Sequence, residues 1–103
     1  MSEQPITLAE SKAIYDRIVS EVASKKVALR KAGKPFEQVD AWAECRELIA
    51  ATAHDIYRMT LKAASSENQS AVLQYAKQIE VCKALHAEAT AKLPALESGL
   101  GIA

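Results

Sequence analysis

Glycine, proline and aromatic side chains are all scarce: three Gly, three Pro, one Trp, three Tyr and one Phe in 103 residues. So few turn formers and so little β-forming bulk argue strongly against an all-β architecture. An alanine-rich chain of this kind suits long helices, because Ala loses no side-chain entropy on entering one. Net charge is missing too, since 13 Lys and Arg balance 13 Asp and Glu. That balance argues against both a disordered polyelectrolyte and a strongly basic nucleic-acid module. No apolar run approaches the roughly 18–20 residues needed to cross a bilayer, and the opening Met1-Ser2-Glu3-Gln4-Pro5 lacks the basic and apolar regions of a signal peptide. The expected setting is cytoplasmic and away from membranes. There Cys45 and Cys82 are expected as reduced thiols rather than as a disulfide. The length suits a single domain over residues 1–103.

What the sequence does contain is helical patterning. Thr7 and Glu10 make a T-x-x-E capping box, which predicts a helix from about residue 8. Leu8, Tyr15, Val22 and Leu29 then form a narrow row, with Ser11, Ile18, Lys25 and Ala32 beside it, as far as about residue 32. Gly33 suits the left-handed residue after a helix, and Pro35 suits the first turn of the next. A second helix is predicted over about 35–64, carrying Trp42, Ile49, Ile56 and Ala63 with Cys45, Thr52 and Met59; Val39, Leu48 and Ala53 widen that face. Ser66 and Gln69 form another capping-box pattern, in competition with Asn68 and Ser70. A third helix is predicted over about 67–92, with Val72, Ile79, His86 and Leu93 as its main row beside Tyr75, Cys82, Ala89 and Leu96. Pro94 should discourage it from continuing, which leaves 97–103 as a tail. Short connections then give an elongated antiparallel three-helix bundle.

So small a bundle buries only about 60–65 per cent of the surface of its unfolded chain. Leu73, Val81 and Leu85 fall off the main row of the third helix, and Leu100 and Ile102 add an apolar tail. This surplus predicts a helical homodimer or a face that binds a protein partner, with Phe36 and Tyr57 as aromatic contacts. The expected function is that of a non-catalytic, self-associating protein-binding module, in concrete form a small inhibitor or accessory factor. No cofactor is expected.

Two other chemistries are weighed against that reading. Lys25, Lys26, Arg30, Lys31 and Lys34 follow one another with no acid among them. A nucleic acid or nucleotide phosphate is the alternative partner for segment 25–34. The simpler account is that cations stabilise a helix C-terminus and face the acidic start of the next helix across the turn. Cys82 and His86, four apart, and Cys45 on the facing helix have the residue types of a metal site, but lack any C-x-x-C or H-x-x-x-H pair, so core packing is the favoured reading. His54 and Asp55 are neighbours that point about 100° apart and cannot orient one another, so both are expected on the surface.

Overall fold

The computed structural model describes residues 6–102, which form three helices and no strand: α1 (Leu8–Lys31), α2 (Phe36–Ser65) and α3 (Gln69–Leu100). Residues 1–5, read above for leader character, and Ala103 lie outside the described residues. The capping box forms as the sequence suggests. Thr7 Oγ1 accepts from the Glu10 amide at 3.0 Å, and the Glu10 carboxylate accepts from the Thr7 amide at 3.4 Å. At the other end of α1 the Gly33 amide bonds Arg30 O and the Lys34 amide bonds Leu29 O, both at 3.1 Å. This is a Schellman closure with Gly33 at φ 83°, a conformation that a Cβ would strain. Pro35 then leads directly into α2.

Two predicted boundaries differ. Asn68, not Ser66, caps α3: its Oδ1 accepts from the Ala71 amide at 3.1 Å, while the Ser66 hydroxyl accepts from the Asn68 amide. The larger difference lies at Pro94, which sits inside α3 rather than ending it, so residues 97–100 are helical and not a tail. An interior proline costs roughly 3 kcal/mol, yet burying a leucine returns about 1.5–3 kcal/mol. Continuing the helix buries Leu100 fully and brings Leu93 and Leu96 onto the core. A second Schellman closure follows, with the Ile102 amide on Glu97 O at 3.0 Å and Gly101 at φ 72°. It folds Ile102 back against the core, so Leu100 and Ile102 do not belong to the surface surplus.

α2 is the central element and runs antiparallel to both neighbours. Ser11 meets His54 and Arg30 meets Asp40 on the α1 side, while Cys45 meets Ala89 and Thr52 meets His86 on the α3 side. α1 and α3 each pack along α2 but not along one another. The continuous core therefore lies at one end, where Val22 and Leu29 meet Val39, Trp42, Ala43 and Leu100. We call this the closed end; the opposite end holds the start of α1, the α2–α3 turn and the first half of α3.

The resulting body measures 53 × 25 × 24 Å with a radius of gyration of 16.4 Å. A compact chain of this length would have a radius near 13 Å. Its accessible surface is 7116 Å², whereas a compact monomer of this mass exposes about 5,700 Å².

Candidate interaction surfaces

The basic segment lies at the closed end and is largely engaged with the protein itself. Asp40, in the first turns of α2, sits 2.7 Å from Arg30 Nη2 and 3.4 Å from Lys26 Nζ. The Arg30 hydrogen bond, helped by Lys26, holds the Asp40 carboxyl below the usual carboxylate range. Arg30 also lies over the Phe36 ring at 5.3 Å and Lys25 over the Trp42 ring at 5.6 Å. Phe36 remains 66 % exposed in this position. Lys31 is exposed and Lys34 is half-buried beside Gly101. The five cations thus share one end of the molecule without forming a single free patch.

A different surface runs along the α2–α3 pair. Val81, Leu85, Glu88 and Lys92 recur at helical spacing on one side of α3, and Glu44, Leu48 and Asp55 do the same on α2. Between them are two hollows. One, of 330 Å³, is lined by Asp55, Arg58, Met59, Lys77, Gln78, Val81 and Cys82. The other, of 310 Å³, is lined by residues that include Glu44, Cys45, Leu48, Leu85, Glu88 and Leu96. Val81 and Leu85 are neighbours on α3, one in each hollow, so the two form successive stations of one groove. Val81 is 60 % exposed, Leu85 41 % and Leu48 39 %. Leu48 and Ala53, which the sequence pattern places on a widened buried face of α2, are both exposed: Leu48 stands at the open mouth of this groove, and Ala53 borders the hollow between α1 and α2 beside Ser11 and Tyr15.

Of the remaining predicted contacts, Leu73 is 64 % exposed but stands apart, beside Ser66, Glu67, Gln69 and Val72 near the α2–α3 turn. Tyr57 is half-buried rather than exposed. Its hydroxyl donates to the Ile6 carbonyl, so the ring fastens the segment before α1 onto α2. Trp42 is buried, and its indole N–H donates to Glu97 at 3.4 Å, tying the last turns of α3 to the start of α2.

His54 is not a surface residue. Its Nδ1 lies 2.8 Å from the hydroxyl of the buried Ser11, and its ring stacks on Tyr15 with centroids 6.0 Å apart. The pair borders a 280 Å³ hollow lined by Ile6, Ile14, Ile18 and Tyr57 among others. Ser11 in the α1 seam is the available signal, since a hydroxyl on a buried stripe calls for a polar partner on the facing helix. Among the described residues no carboxylate bonds the histidine ring, so the arrangement lacks the orienting third group of a hydrolytic triad. Asp55 turns instead to Arg58 at 3.5 Å.

Cys45, Cys82 and His86 do not converge. The Cys45 thiol donates to Ala89 O at 3.1 Å, and burial pushes its pKa up. His86 Nδ1 faces the Thr52 hydroxyl at 3.1 Å, and Cys82 lines the groove. Both thiols are free, and the described residues contain no group of three side chains able to hold a metal ion. Among the described residues no helix is long and apolar enough to cross a membrane. No protein-family model, curated protein or solved structure matches the chain.

Proposed function

We propose that this chain is a non-catalytic, self-associating helical module that binds protein, acting in the cytoplasm as a small inhibitor or accessory factor by occupying the surface of another macromolecule. The observation that carries this reading is the groove along α2 and α3, where Leu48, Val81 and Leu85 are exposed side by side. The roughly 1,400 Å² of surface beyond that of a compact monomer supports it, because a standard protein interface covers about 800 Å² on each partner. Two free thiols suit a reducing compartment.

The alternative of a nucleic-acid or phosphate ligand on segment 25–34 has less support. Asp40 already neutralises part of that charge through Lys26 and Arg30, and Phe36 lies under Arg30 rather than standing free for a base.

The test uses the folded chain as bait beside its Val81→Asp/Leu85→Asp variant, with helicity of both checked by circular dichroism. The expected result is a protein, this chain or another, retained by the wild type and released by the variant. Identical retention by both baits, or none by either, overturns the reading.

A further inference from the structure

We propose that the groove between α2 and α3 is filled by a second copy of this chain, docked face to face about a two-fold axis that lies in the interface, across the helix direction, and passes over α3 at the level of Lys83, between Val81 and Leu85. This rests on the protein-binding reading above and names its partner.

The first argument is charge. Within the groove Arg58 pairs with Asp55 at 3.5 Å and Lys92 with Glu88 at 2.9 Å. Among the described residues, that leaves Lys77 in one hollow and Glu44 in the other without an ion-pair partner. One end of the groove is therefore positive and the other negative. Docking two copies with their grooves in parallel would set Lys77 against Lys77 and Glu44 against Glu44. Antiparallel docking sets each Lys77 against the other copy's Glu44.

The second argument is register. A two-fold axis near Lys83 brings Val81 of each copy level with Leu85 of the other, so the most exposed apolar side chains of the groove cover one another. The same axis carries Lys77, about 9 Å from it along the helix, to the level of Ala89 in the other copy. That level is where Glu44 stands: its neighbour Cys45 donates to the Ala89 carbonyl, and Glu44 and Ala89 line the same hollow. The apolar and the charged pairings thus demand the same axis. A surface that is its own complement under a two-fold rotation is the requirement for an isologous dimer, and an unrelated partner would impose no such inversion.

The third argument is area. From Lys77 to Leu96 the groove runs about 28 Å along α3, and two helices side by side are about 20 Å wide. The footprint is about 560 Å² before surface relief, at the lower edge of the roughly 600–1,000 Å² per partner of stable complexes.

The experiment is sedimentation equilibrium of the whole chain at low salt, with Lys77→Glu, Glu44→Lys, the two combined, and Leu85→Asp, each checked for helicity. A dimer is expected, weakened about tenfold by either charge reversal and lost with Leu85→Asp. The combined reversal restores it to within about threefold of wild type, because each introduced carboxylate then meets the ammonium introduced on the other copy. A wild-type chain that stays monomeric into the high micromolar range overturns the inference. So does a dimer on which the combined variant is no better than the single ones, which would place the contact on another face. A monomer also removes self-association from the reading above, whereas binding to another protein falls only if the bait comparison fails.

Discussion

The two ends of the molecule are made from the same helices yet differ in what fills them. At the closed end, Trp42, Val22, Leu29 and Leu100 interlock across all three helices, both Schellman closures lie close by, and Asp40 draws together Lys26 and Arg30 across the turn. Beyond the first turn of α1 at the open end, α2 and α3 form a two-layer ribbon on which Met59 is buried but the other large apolar side chains are half-buried or exposed, among them Leu61, Leu73 and Val81. Two layers of helix cannot enclose a core. The stability of the fold should therefore reside chiefly at the closed end, while the groove for association starts in the open end and runs back along the flank of α2 and α3 to Leu96.

The sharpest way to break this comparison is to truncate one leucine at each end. Leu100→Ala removes a side chain that is 1 % exposed, and such a change costs about 2–5 kcal/mol. Leu73→Ala removes one that is 64 % exposed, and it should stay within about 0.5 kcal/mol. Urea unfolding followed by circular dichroism measures both. Equal losses would mean that the open end contributes as much to folding as the closed end and that the division is false.

The same division explains what is legible in the sequence. Local signals carry over: the Thr7–Glu10 box, the Gly33 closure and the acidic start of α2 facing the cations each depend on residues within a few positions of one another. Seven-residue rows place Val22, Trp42 and Ala89 correctly in the interior. They do not show where that interior ends, because a row has the same spacing whether a third helix covers it or not. Hence the pattern assigns Leu48 and Ala53 to a buried face when they are exposed, and His54 to a surface that α1 covers. Pro94 illustrates the same limit. A local penalty predicts a stop, and only the distant contact of Leu100 with the α1–α2 core explains why the helix goes on.

A second comparison concerns ion pairs. Asp40 joins two helices, whereas Glu88 bonds Lys92 within α3, and both carboxyls are held below their ordinary range, by Arg30 and by Lys92 respectively. A carboxyl whose folded-state pKa is lowered adds stability that is fully present above its unfolded value, near pH 4, and is lost as the pH falls through the lower folded value. Asp40→Asn should therefore flatten the fall in stability below about pH 4, and Glu88→Gln should flatten it less, since its pair holds no second element in place. Thermal unfolding of the three proteins across that range is the measurement. A larger effect at Glu88 would remove the turn at the closed end from the account.

The smallest effect tests the boundary between the two regions. Cys45 is buried against α3, donates its hydrogen to Ala89 O and has its pKa raised by burial, so little thiolate is present and attack requires the helices to part. Cys82 is half-buried on the groove, where no third helix covers it, so a labelling reagent should reach it in the folded chain. With dilute protein and a disulfide reagent at neutral pH, Cys82 should react at least about tenfold faster than Cys45, a ratio equivalent to roughly 1.4 kcal/mol of opening. Raising the protein concentration should slow Cys82, because a second copy seated in the groove would cover it. If both thiols react at one rate at every concentration, α2 and α3 part as a unit, and the line between a closed and an open region has to be redrawn on the far side of Cys45.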